Sequence, residues 1–155
     1  MTAPSYLPGA AMERLKALEG DWTFRQVSLS GEGAEGSSAT RRGPGGFSLL
    51  TQEVVKGPVG VVVSHGILAW DPEEERYVWY WTDSRAPGVV VLTGTWEDDL
   101  LFEGRDDRFA KSIERQVRFF NLSASSYSVA IETREPTEGL SNVVTRLYIM
   151  RSRRS

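Results

Sequence analysis

The residues of this chain with the means to do chemistry are one histidine, a few carboxylates and a tight group of aromatic rings. His65 stands in "VGVVVSHGILAW", where two-residue alternation groups it with Val61, Val63 and Ile67, opposite Val62, Ser64, Leu68 and Trp70. Turned toward an apolar interior, His65 would be an isolated titratable group able to serve as an acid or base, or to ligate a haem iron. Turned outward, it would be an ordinary hydrogen-bonded surface histidine. The carboxylates of interest are Glu53 in "LLTQEVV", Asp83, Glu97 and Glu132 in "VAIETRE". Two of them meeting in a dry interior would have their pKa values driven apart, giving one acid and one base. Asp83 before "SRAPG" reads equally as a turn residue whose side chain accepts from nearby backbone amides.

The rings cluster in "YVWYWTDS", residues 77–84. Alternation puts Tyr77, Trp79 and Trp81 on one side with Asp83, and Val78, Tyr80 and Thr82 on the other. The three-ring face is the expected inward one, because the opposite choice would expose two indoles. With Phe119 and His65, these residues form the expected lining of a small-molecule site: Tyr77, Trp79, Trp81, Asp83, His65 and Phe119. Arg118 in "RQVRFFNL" could supply a positive charge to an anion or sit on the solvated face. With no cysteine and one histidine, the chain has no thiolate chemistry and no motif for a metal site, so none is expected. No local Ser/His/Asp motif or phosphate-binding loop is present.

The elements that must carry these residues are mostly strands. "GAAMERLKALEG", residues 9–20, spaces Met12, Leu15 and Leu18 as one amphipathic helix ending at Gly20. Strands are predicted near 22–29, 38–43, 46–55, 60–70, 76–82, 89–97, 100–105, 112–122, 126–134 and 142–150, separated by short polar turns such as "DPEEE" and "EDD". A long meander of hairpins removes its edges by closing, so the expected fold is an all-β, antiparallel up-and-down barrel of nine to ten strands with a short N-terminal helix. "SGEGAEGSS", 30–38, reads as a flexible loop at the barrel mouth. The whole of 1–155 is one domain, with 1–8 and 151–155 as flexible tails.

The segments "MERLKALEGDW" and "GILAWDPEEERYVWYWTDSRAPGVVVLTGTWEDDLLFEG" resemble an uncharacterised bacterial family of calycin-like, lipocalin-like β-barrel domains. The matching residues are Gly20 and Trp22, then Asp71, Pro72 and Tyr77, then Trp81, Asp83 and Ser84, then Gly94 and Trp96, with similarity running from Met12 to about Met150. The resemblance implies the barrel fold and no settled activity. It also implies that Trp22 plugs the closed end, with an arginine of the last strand, Arg146 or else Arg151, packed across its face.

Composition narrows the function classes. The formal net charge of -3 offers no electrostatic ground for nucleic-acid binding. Arginine far outnumbers lysine among the 18 basic residues, but these are scattered among acids. Residues 1–12 lack a signal-peptide pattern and no apolar run is long enough to span a membrane, so a cytoplasmic protein without membrane attachment is expected. Three readings follow. The first is a barrel that holds an apolar or amphipathic small molecule and is not an enzyme. The second is an acid/base isomerase or lyase drawing on His65, Asp83 or Glu132, or a haem-binding barrel using His65. The third is a filled barrel that acts as a homodimer or interaction module.

Overall fold

The computed structural model describes residues 7–28, 30–58, 60–137 and 139–152. At the N-terminus the expected helix forms in two pieces, α1 (Gly9–Glu13) and a 3-10 turn at Lys16–Leu18. The spacing explains the change. Met12, Leu15 and Leu18 recur every three residues, so three residues per turn keep all of them on one face, whereas an α-helix would rotate Leu18 away from Met12. All three are buried.

Ten antiparallel strands follow: β1 (Gly20–Ser28), β2 (Gly33–Arg42), β3 (Ser48–Gly57), β4 (Gly60–Asp71), β5 (Arg76–Asp83), β6 (Ala86–Trp96), β7 (Leu100–Asp106), β8 (Ile113–Phe120), β9 (Ser126–Glu135) and β10 (Leu140–Ser152). Each pairs with its sequence neighbour, and β10 returns to β1, so the sheet closes into a barrel. Closure runs from Asp21 opposite Ser152 to Ser28 opposite Val144. The sequence places a tail from 151 onward; Arg151 and Ser152 belong to β10, and 1–6 and 153–155 lie outside the described residues.

The expected loop over 30–38 is replaced by strand from Gly33. Its glycines and serines are there because β2 passes tightly beneath its neighbours. A Cβ at Gly36 would overlap both the Phe24 ring and the Val54 carbonyl oxygen. Glycine-rich sequence here marks a close approach of packed strands, with Ser38 and Thr40 buried further along.

α1 and the first residues of β1 close one end. Trp22 is buried there, donates from Nε1 to the Leu18 carbonyl at 3.0 Å and meets Tyr127 edge-on at 4.7 Å. The arginine expected across its face goes elsewhere: Arg146 packs over Phe24 at 4.7 Å. The β1–β10 register decides this, because it sets Arg146 opposite Gln26, and Trp22, four residues along the strand, opposite Met150. At roughly 3.3 Å per residue, that separates Arg146 from Trp22 by about 13 Å along the barrel wall.

Replacing Gly36 by Ala is expected to destabilise the fold by about 1–3 kcal/mol, since neither a ring wedged against Tyr148 nor a backbone carbonyl can retreat freely. A lower urea midpoint at unchanged slope would report it; an unchanged midpoint would remove the tight-packing account of β2.

Candidate functional site in the barrel interior

The strands enclose a cavity of about 910 Å³ that opens at the end opposite α1. Its apolar wall is built from alternate residues of β4, β5, β6, β8 and β9, among them Leu68, Trp79, Trp81, Leu92, Phe119 and Val129. Trp79 is the hub of the rings, with Trp81 at 5.3 Å, Phe102 at 5.2 Å and Phe119 at 5.7 Å between centroids. Space for the two indoles comes from β4. A Cβ at Gly66 would lie 2.7 Å from Trp79 Nε1 and 2.9 Å from Trp81 Cε3, so only glycine fits opposite them.

Tyr77, Trp79, Trp81 and Asp83 all face inward, but they divide along the axis. Trp79, Trp81, Asp83 and Phe119 line the cavity. Tyr77 lies below it in the floor, where its hydroxyl donates to the Ala11 carbonyl at 2.7 Å and its ring meets Trp70 at 4.8 Å. His65 is exposed on the outer face, opposite Gln52 and Thr82. The parity of β4 decides its position: Ser64 and Leu68 are buried and Gly66 sits under the tryptophans, so His65 and Ile67 point away. A haem in the cavity would therefore find no histidine there. Glu132 alternates with Ile131 and Thr133, which line the cavity, and so points outward. Glu97 is exposed in a turn, and Arg118 pairs with Asp99 at 3.1 Å outside the barrel.

Among the polar side chains that interrupt the apolar wall are two charged clusters, most of whose members escape a reading of the sequence alone. Midway along, the Tyr148 hydroxyl donates to Glu53 Oε2 at 2.9 Å, Arg146 Nη1 donates to Glu53 Oε1, and Arg146 Nε donates to Gln26 Oε1 at 2.7 Å. Burial works against the Arg146 charge, but the Tyr148 oxygen and the Glu53 carboxylate outweigh it and hold the guanidinium above its ordinary pKa. Burial pushes the Tyr148 phenol well up, Glu53 adds to the rise, and Arg146 opposes it. Tyr148 is thus a neutral donor at any ordinary pH.

The second group forms the rim. Two turns repeat one device: Asp83 Oδ1 accepts from the backbone N–H of Arg85 at 2.9 Å and from its Nε at 3.0 Å, and Asp106 Oδ1 accepts the same pair from Arg108 at 3.2 and 2.9 Å. Arg108 Nη2 bridges to Asp83 Oδ2 at 3.1 Å, and Arg115 Nε donates to Asp106 Oδ2 at 2.9 Å. The carboxylates are sealed in, their side chains 1% and 0% exposed. Burial works to raise both, yet the bonds from Arg85 and Arg108 hold Asp83 well below the usual carboxylate range, and those from Arg108 and Arg115 hold Asp106 at about 2. The repeated Asp-x-Arg spacing, "DSR" at 83–85 and "DDR" at 106–108, is the sequence signal for this cluster. Ser84 fastens the same turn to β4 by accepting from the Val63 N–H at 3.0 Å.

The chain matches the family described as "Protein of unknown function (DUF1579)" over residues 7–121. It belongs to that family. No curated protein matches it. Among solved structures, it is similar to the S-type phycobiliprotein lyase CPES from Guillardia theta, at 10% identity and a TM-score of 0.61, covering 94% of this chain and 95% of that one. The barrel EF1p2_mFAP2b bound to DFHBI matches at 9% identity and a TM-score of 0.54 over 92% of this chain and all of that one. A de novo designed fluorescence-activating β-barrel matches at 12% identity and a TM-score of 0.52 over 88% of this chain and 95% of that one. These likenesses concern the fold. Among the described residues, no group of acidic or histidine side chains could hold a metal ion, and no helix is long and apolar enough to cross a membrane.

The rim pairs make acid sensitivity specific. Asp106 is lowered on folding from 3.8 to about 2, so its stabilisation is complete above about pH 4 and drains away as the pH falls toward 2. Asp106→Asn is expected to cost about 3 kcal/mol at neutral pH by stranding buried arginines, with a gap to wild type that narrows below pH 4. Urea midpoints read at pH 7 and pH 3 check this; a gap independent of pH would contradict it.

Proposed function

We propose that this barrel binds a small amphipathic molecule in its interior. The observation that carries the reading is the 910 Å³ cavity, open at one end, whose wall is predominantly apolar and interrupted by a few fixed polar groups. That volume falls within the range of drug-sized ligand sites. A protein interior packs to crystal density by default, so a void this size is far beyond a packing defect. Barrels of this architecture can hold small molecules, as the DFHBI complex illustrates for a barrel of similar fold.

The geometry supports binding over catalysis. Acid/base work requires a titratable group free to trade its proton within reach of the substrate. Asp83 spends both oxygens on arginines, Glu53 spends both on Arg146 and Tyr148, and His65 and Glu132 face away from the cavity. Glu53 midway along the wall and Asp83 at the rim are thus fixed acceptors, and Glu135 stands 3.5 Å from Lys111, an arrangement suited to orienting a ligand.

N-Phenyl-1-naphthylamine, a neutral dye that brightens in apolar surroundings, is expected to bind with micromolar affinity and to quench Trp79 and Trp81 by energy transfer. Ile131→Trp, which fills the cavity from β9, is expected to weaken that binding at least tenfold while leaving the circular dichroism spectrum β-rich. Absence of dye binding to the wild type would overturn the reading.

A second reading, pairing of two copies, is favoured by the outer surface. Leu50, Ile67, Tyr80 and Val91 lie in register across β3 to β6, and all four are exposed. Around them stand Gln52, His65, Thr82 and Val89, with no carboxylate, lysine or arginine among them. Charges stand on the flanking strands, at Glu35 and Arg41 on β2, where Arg41 lies opposite Leu50, and at Glu103 and Arg105 on β7, while Val27, Leu147 and Ile149 are further exposed apolar side chains on β1 and β10. A charge-free band can meet its own copy about a two-fold axis without opposing like charges. Sedimentation equilibrium is expected to show a dimer for the wild type and a monomer for Tyr80→Glu; a wild-type monomer at high concentration would remove this second reading.

A further inference from the structure

The rim cluster holds more hydrogen-bond donors than acceptors. Asp83 receives Arg85 N, Nε and Nη2 and Arg108 Nη2; Asp106 receives Arg108 N, Nε and Nη2 and Arg115 Nε. Each carboxylate thus accepts four bonds, the full capacity of its two oxygens. Three guanidiniums surround these two carboxylates, and each keeps an Nη1 with no hydrogen-bond partner among the described residues. Arg108 Nη1 is sealed in and unpartnered, its side chain 5% exposed. A buried donor left without an acceptor loses its hydration and gains no bond in exchange, a larger loss when it is charged.

This surplus differs from the other charged groups of the cavity. Arg146 is matched by Glu53, and Lys111 lies 3.5 Å from Glu135, whose buried Oε1 accepts no hydrogen bond among the described residues. At the rim the balance is one positive charge in excess, and two of its three arginines, Arg85 and Arg115, line the cavity beside Asp83 and Phe109. Arg85 is 44% exposed and stands toward solvent, whereas Arg115 is 14% exposed and stands within. Burial pulls the Arg115 guanidinium below its ordinary pKa, Asp106 opposes this, and the charges of Arg85 and Arg108 add to the fall. An anion beside Arg115 would relieve what those charges impose.

We propose that the ligand carries an anionic group, such as a carboxylate or sulfonate, that docks at the cavity mouth against Arg115 and Arg85 while its apolar body lies on Trp79, Trp81 and Phe119. This rests on the small-molecule-binding reading and sharpens it: the ligand is an amphipathic organic acid oriented with its acid group outward. Planar guanidiniums with spare N–H groups favour an oxyanion over a neutral polar head.

The test compares 8-anilinonaphthalene-1-sulfonate with N-phenyl-1-naphthylamine, which has the same rings and lacks the sulfonate. Wild-type protein is expected to bind the sulfonate at least tenfold more tightly than the neutral dye at low salt. Arg115→Gln is expected to collapse that ratio toward one. Arg85→Gln, at a half-exposed site where the backbone N–H of residue 85 and Arg108 stay on Asp83, is expected to reduce the ratio, with a circular dichroism spectrum matching wild type as the check that the fold is kept. Equal binding of the two dyes to wild type would overturn the proposal while leaving the cavity reading intact. A ratio unmoved by both substitutions would overturn it as well. Failure of the sulfonate alone to bind would overturn the proposal only, and failure of both dyes to bind would remove both readings.

Discussion

The pairing of β1 with β10 is the contact on which the rest of this molecule depends. It converts a meander with two open edges into a closed wall, and it joins residues more than a hundred positions apart. Arg146 shows how the closure is held inside as well as along the backbone. From β10 it reaches Gln26 on β1 and Glu53 on β3 and covers the Phe24 ring, so one buried cation ties three strands. Placing a guanidinium in an apolar interior is tolerable because Gln26 accepts from its Nε and Glu53 and the Tyr148 hydroxyl accept from its Nη1.

Given that closure, the interior must be either filled or hollow, and the two ends differ. At the α1 end Met12, Leu15, Leu18, Trp22, Tyr77 and Phe102 interlock into a solid floor. Toward the mouth the rings of Trp79 and Trp81 stand against the wall over Gly66 instead of crossing the lumen. A void persists because its wall is stiff: aromatic pairs contribute about 0.5–1.5 kcal/mol each beyond burial, and the polar groups are fixed by bonds that collapse would break.

Much of this was legible in the chain, residue by residue. Alternation correctly separates Tyr77, Trp79 and Trp81 from Val78 and Tyr80, and Asp83 does serve its turn as an acceptor of a backbone N–H. His65 was not legible, because both faces of its strand are apolar and parity there is set by the glycine beneath the tryptophans. The rim was half legible: "DSR" and "DDR" repeat a spacing, but only folding shows that Arg108 bridges the two turns and that Arg115 joins from β8. Residues 30–38 misled because glycine and serine signal both flexible loops and strands under a packed ring, and composition is the same in either case.

By itself the sequence determined an antiparallel barrel with a short helical segment, since two-residue alternation and turn chemistry act over a few positions and need no partner to be read. Tertiary structure alone decided register, and with it everything that depends on which residues meet. It set Arg146 on Phe24 instead of Trp22, put Tyr77 in the floor instead of the lining, turned His65 to the outside, and gathered three arginines around two aspartates at the mouth. The physical reason is that these contacts join distant strands, and a shift of pairing by one residue would exchange inside for outside without altering any local pattern.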